Sequence, residues 1–258
     1  MKPLSILCVS ALLILASACG KHKDPIVTTT VDSTALYFHL HTNLDTNEVD
    51  AYNEIYTMES GRRISAGITQ LYISNVQLIK ADGSTYDIPA VIVYKTQETE
   101  VYSLGNVPVG SYKSVRFHIG LDSTTNTLAA SSNAALDHSE MWFNPSAQPG
   151  GYVYVNFAGK VDTTTNGNGP DSLMQTFTYK LGTSAAYKEV TMPDHSPVYS
   201  FAKDIPQYIH LVVDYSKLLT GIQLNNTANL SITNATGNTT TLGITINSNI
   251  PSMFSYEE

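Results

Sequence analysis

The strongest constraint on this chain is the way apolar and polar side chains alternate along its short β-rich runs. In "TALYFHLH" (34–41), Leu36, Phe38 and Leu40 fall on one side, and Tyr37, His39 and His41 on the other. A period of two fits a strand with one buried face; a helix would repeat about every 3.6 residues. "SYKSVRFHIGL" (111–121) alternates in the same way, with Val115, Phe117 and Ile119 inward and Arg116 and His118 outward. Further β-rich runs cover 69–79, 89–95, 151–161, 173–182 and 207–215, punctuated by Gly, Pro, Asn and Asp. This spacing predicts an all-β antiparallel β-sandwich with Greek-key-like connections over residues 34–258. Helical signal is thin. One or two short helices are expected, at 49–58 and at 215–221, the latter capped by Ser216 and ended by Gly221. The stretch 225–243 is polar, with N-x-S/T sequons at Asn225, Asn229, Asn234 and Asn238, and reads as loop or edge strand.

The amino terminus carries a different signal. Lys2, the apolar run 4–16 and "LASAC" ending at Cys19 form an export segment over residues 1–19. The run is too short to span a bilayer permanently, which takes about 20 residues. "LASAC" predicts lipid on the Cys19 thiol and cleavage before it; an ordinary secretory cut nearby is the alternative. Residues 20–33 read as a flexible tether. "GKHKD" after Cys19 is basic, which suggests an outer-membrane anchor facing the periplasm, with the lipid as the sole membrane contact. A formal net charge of −8 argues against a nucleic-acid partner. The two cysteines are Cys8, lost with the signal, and Cys19. The mature chain then has no free thiol, so any metal must use His, Met, carboxylate, Tyr or backbone oxygen.

Several stretches, in this order and spacing, resemble the MbnP-like family of periplasmic copper-binding proteins, named for a methanobactin-associated member. They are "LYISNVQLIKADG" (71–83), "NVPVGSYKSVRFHIGLDSTTN" (106–126), "ALDHSEMWFNP" (135–145), "GGYVYVNFAGKVD" (150–162), "HLVVDYSKLLTG" (210–221) and "NIPSMFSYE" (249–257). The resemblance covers nearly all of the mature chain. It implies a mostly antiparallel β fold and a copper site of histidines with an oxidised tryptophan, the modification being made by a di-haem peroxidase-like partner. Trp142 is the sole tryptophan, so it alone could be the oxidised residue. The chain departs from the family pattern where relatives carry a second tryptophan. It also has Ala158 where many have an acid, and Lys180 where many have a histidine.

With the resemblance, the candidate copper ligands are His39, His41, His118 and His138. His39 and His41 share a strand face at roughly 7 Å, close enough for one ion, though a solvated sheet face also explains them. His118 also reads as an outward polar residue, and His138 as a loop histidine capping a turn. Trp142 could also be a rim residue covering the core. His210 and Asp214 share a face and could form an orienting pair. Met58, Met141 and Met174 could be soft ligands or core filler. Asp45, Glu48 and Asp50 form an acidic turn without the spacing of a calcium loop. No nucleophile elbow, zinc-protease or phosphate-loop motif is present, so no enzymatic activity is expected. Two functions stay open: a lipid-anchored copper protein for sequestration or handover, and a surface binding module with a degenerate copper site.

Overall fold

The structure, a computed structural model, describes residues 31–144 and 151–257. The signal segment, Cys19 and most of the tether lie outside the described residues. Fifteen strands run along the described chain: β1 (Ser33–Leu44), β2 (Asn47–Glu48), β3 (Tyr56–Thr57), β4 (Arg63–Lys80), β5 (Thr85–Asp87), β6 (Ile92–Lys95), β7 (Val101–Pro108), β8 (Gly110–Ile119), β9 (Val153–Asp162), β10 (Met174–Gly182), β11 (Lys188–Thr191), β12 (Tyr199–Phe201), β13 (Gln207–Asp214), β14 (Ser231–Ile232) and β15 (Phe254–Tyr256). They form two sheets, and the fold is an all-β sandwich.

The smaller sheet is ordered β15-β13-β1, with β7 and β2 sharing the other edge of β1. The larger is ordered β11-β8-β4-β9-β10-β14, with β12 on β8 and β3, β6 and β5 along β4. β4 has 18 residues and pairs with β9 along its first half and β8 along its second. Its register shifts between Ser74 and Gln77, where Asn75 has a φ of 51°, and between Ala66 and Ile68. Such bulges bend a strand, so the larger sheet curls.

The alternation predicted for β1 is the one observed. Leu36, Phe38, Leu40 and Leu44 are fully buried, while Tyr37, His39 and His41 face outward. The two sheets meet where the Phe38 ring packs edge-on to Phe117 of β8 at 5.7 Å; Phe117 in turn meets Phe254 at 5.1 Å. Such pairs add about 0.5–1.5 kcal/mol each beyond the area they bury.

Four local features differ from the sequence expectation. Pairing is mostly antiparallel, but β1–β13 and β10–β14 are parallel. The chain crosses from β12 in the larger sheet to β13 in the smaller, and enters beside β1 running the same way. No helix forms at 49–58, where a turn with Asn53 at φ 68° leads into β3. Residues Tyr215–Leu219 form a 3-10 turn, capped by Asp214 rather than Ser216. The longest helix among the described residues, Thr241–Asn249, begins inside the polar sequon-rich stretch. Thr240 caps it by accepting from Gly243 N, and buried Ile246 and Ile250 hold it down. Tertiary packing there overrides the weak helix propensity of Thr and Ile.

Candidate metal centre

The outer face of the smaller sheet gathers three histidines. The parallel β1–β13 register sets His39 directly beside His210, and the β1 alternation brings His41 up two residues on. His39 Nδ1 lies 3.0 Å from His210 Nδ1. Only one of those nitrogens can carry a proton at such a contact. The three side chains offer ring nitrogens all within 4.8 Å of one another.

Each neighbouring strand delivers a carboxylate to this group. The β1–β2 turn, with Asp45 at φ 62°, folds Glu48 back so that its Oε1 lies 3.0 Å from His41 Nδ1. Glu100, immediately before β7, reaches 3.3 Å from His39 Nε2. β15 pairs with β13 and brings Glu257, whose Oε2 lies 3.1 Å from His210 Nδ1 and 3.2 Å from His41 Nε2. Every ion pair that these three glutamates make among the described residues is with a histidine. His41 Nε2 is shielded from solvent and makes no hydrogen bond, despite the nearby Glu257 oxygen. Tyr37 and Tyr208 stack at 5.1 Å alongside the cluster.

Two of the four histidines proposed from sequence are therefore brought together, and two are not among the residues that group with them. His118 is on β8 of the larger sheet, stacked on Tyr187 at 4.7 Å with Glu189 at 3.8 Å. Burial pushes its pKa below the usual histidine value. His138 precedes a 3-10 turn without capping it through its side chain. Its ring lies 4.0 Å from Tyr94, with Glu140 at 3.7 Å. Trp142 is half-buried against the core and donates Nε1–H to the Leu136 carbonyl at 3.0 Å. Lys180 donates to the Glu140 carbonyl at 3.3 Å.

The other candidates have structural roles. Asp214 does not orient His210; it accepts from the backbone of Asp45 and Ser216 and from the Ser216 hydroxyl. Met141 and Met174 are buried, and Met58 packs against the core. Of the acidic turn, Glu48 joins the histidines, whereas Asp45 accepts from Glu59 N.

Behind the cluster, the inner face of β1 carries a second polar feature that the sequence did not announce. Lys95 of β6 is 1% exposed, and its ammonium donates to Thr42 Oγ1 at 2.5 Å and lies 6.0 Å from the Tyr215 ring centroid. Burial pulls its pKa down to about 8.

A family model for MbnP matches residues 33–240. Among solved structures, the chain is similar to MbnP from Methylosinus trichosporium at 15% identity and a TM-score of 0.49, over 74% of this chain and 78% of that one. No curated protein matches the sequence. With the family model spanning most of its length, the chain belongs to the MbnP family.

Proposed function

We propose that the protein is a lipid-anchored cell-envelope protein that binds copper at the His39–His41–His210 cluster and sequesters it or hands it on. The convergence of three ring nitrogens in a chain whose mature part has no thiol carries this reading. The donor set fits the ion. Imidazole and carboxylate suit divalent copper, and His41 Nε2 is a buried polar atom that makes no hydrogen bond and has the Glu257 carboxylate beside it.

In this reading ring nitrogens of His39, His41 and His210 hold the ion, with the Glu257 carboxylate beside His41 and His210. His39 and His41 then keep their protons on the other nitrogen and donate them to Glu100 and Glu48, the usual way a ligating imidazole is oriented. The cluster is read as a cargo site, not a catalytic one. Lipidation at Cys19 and an outer-membrane position facing the periplasm complete the proposal, on the strength of "LASAC" and "GKHKD". The family resemblance adds a di-haem peroxidase-like partner acting on Trp142.

One observation favours a second reading, a binding module that keeps the fold without copper: Lys180, where relatives often have histidine, is bonded to the Glu140 carbonyl beside His138. Dialysis of untagged protein against Cu(I) and Cu(II), followed by metal analysis, separates the two. Retained copper is expected; metal-free protein at micromolar copper ends the first reading. Mass spectrometry of the native protein would read the lipid and any oxygen added to Trp142.

A further inference from the structure

The larger sheet has a hollow of its own, of about 500 Å³, within the range of about 300–1,000 Å³ usual for small-molecule sites. Residues of β4, β6 and the His138–Glu140 segment line it, and none of them belongs to the histidine cluster. Three bonds hold that segment in place. The Tyr94 hydroxyl donates to Glu140 Oε1 at 2.8 Å, and Asn156 and Lys180 donate to the Glu140 carbonyl at 3.4 and 3.3 Å. The sheet register sets Gln70, Asn156 and Lys180 side by side across β4, β9 and β10. Gln70 lines the hollow although it is only 9% exposed. Its Oε1 accepts from Asn156 at 3.0 Å, and its amide nitrogen has no partner among the described residues. A nearly buried donor left unmet costs free energy, which a ligand presenting an acceptor recovers. Glu98 and Glu140 add carboxylates to the same hollow, and no lysine or arginine is among its lining residues.

A donor and carboxylate acceptors in one hollow select the ligand. An ammonium satisfies the carboxylates but offers nothing to the Gln70 donor. A phosphate or carboxylate meets Gln70 but is repelled by Glu98 and Glu140. A hydroxyl does both, since it donates one hydrogen and accepts at its lone pairs. The rings add to this. Tyr52 shares a hydrogen bond with Thr69 Oγ1 at 2.6 Å, so what it presents to the hollow is ring surface. His138 already packs on Tyr94 at 4.0 Å, which leaves Tyr52 as the platform. An aromatic face is negative and attracts the polarised C–H groups of a sugar. We infer that this hollow binds a neutral pyranose sugar, with Gln70 donating to one hydroxyl, Glu98 and Glu140 accepting from others, and Tyr52 lying against the sugar ring. The site recognises its ligand without forming or breaking a covalent bond, and it does not rest on the copper reading.

The test is isothermal titration calorimetry of the untagged full chain with millimolar glucose, galactose, mannose and N-acetylglucosamine, beside tetramethylammonium and inorganic phosphate. Saturable binding of a sugar, and of neither ion, is expected. Glu98→Ala changes an exposed side chain and should weaken the sugar about tenfold or more, as loss of a hydrogen bond to a charged group does. Gln70→Met should weaken it about fivefold to tenfold. Circular dichroism checks that this variant is folded, because Asn156 loses its acceptor there. The double variant His39→Ala, His210→Ala should bind the sugar as the natural chain does. No binding of any of these sugars would overturn the proposal. Binding of tetramethylammonium or phosphate in their place would make the hollow a site for charge and overturn it as well. Sugar affinity unchanged in both Glu98→Ala and folded Gln70→Met would put the sugar elsewhere and overturn the assignment. Copper uptake decides the histidine reading separately.

Discussion

The two faces of β1 carry opposite chemistry within one strand. The inner face is Leu36, Phe38, Leu40 and Leu44, all fully buried; the outer face is Tyr37, His39 and His41, half exposed. The inner side chains fix where the strand lies, and the outer ones use that position. His138 shows what happens without such a base. It sits in a loop, and its nearest ring contact is Tyr94 rather than another imidazole. A rigid, registered strand pair gathers ligands, whereas a loop leaves its histidine to local neighbours.

The sharpest way to break this comparison is to remove the outer chemistry alone. His39→Ala with His210→Ala should weaken copper binding by more than about a thousandfold, since even losing orienting partners costs about 10–100-fold each. Stability should change by less than about 1 kcal/mol, because the face is solvated. A copper titration beside a urea melt measures both, and retained affinity would mean that the ion sits elsewhere. The converse change, Phe38→Ala, should cost about 3–5 kcal/mol of stability by opening a cavity against Phe117. Copper affinity of the remaining folded protein should stay within a few-fold. If affinity collapses at full folding, the inner face is shaping the site and not merely anchoring it.

Lys95 sharpens the contrast, because it places a charge on the inner side. Its folded pKa is about 8, against an ordinary 10.5. Between those values the unfolded chain binds more protons, so stability rises with pH across that window and the full cost is present below pH 8. At about 1.4 kcal/mol per pH unit this amounts to about 3 kcal/mol. Lys95→Met should therefore raise stability at pH 7 by up to that amount and flatten the rise between pH 8 and 9.5, read by urea melts at both values. Destabilisation at pH 7 would show that the Thr42 contact outweighs the burial cost. The smallest effect is expected from His138→Ala and His118→Ala, neither of which groups with the cluster. Copper affinity should move by less than about twofold, and a larger loss would extend the site beyond the sheet face.

Much of this was legible in the residues. The runs at 34–41, 111–121, 151–161, 173–182 and 207–215 became β1, β8, β9, β10 and β13 with small boundary shifts. Phe38 and Phe117 were readable as core from alternation alone. The pairing of His39 with His41 was readable for the same reason. His210 carried a weaker signal: its place on the outward face of "HLVVD" was visible, but its neighbour was not. Glu100 and Glu257 gave no local signal, since one precedes a strand and the other follows the last one.

By itself the sequence determined the class of fold, which side chains of each strand face inward, and the family. Those follow from short-range physics: a period of two, turn residues between runs, and motifs read in order. The parallel register of β1 with β13 was decided only by the tertiary structure, and with it the meeting of His39 and His210 across 171 positions of chain. Register between distant strands depends on how the sheets pack as a whole, and shifting it by one residue would turn His210 to the other face.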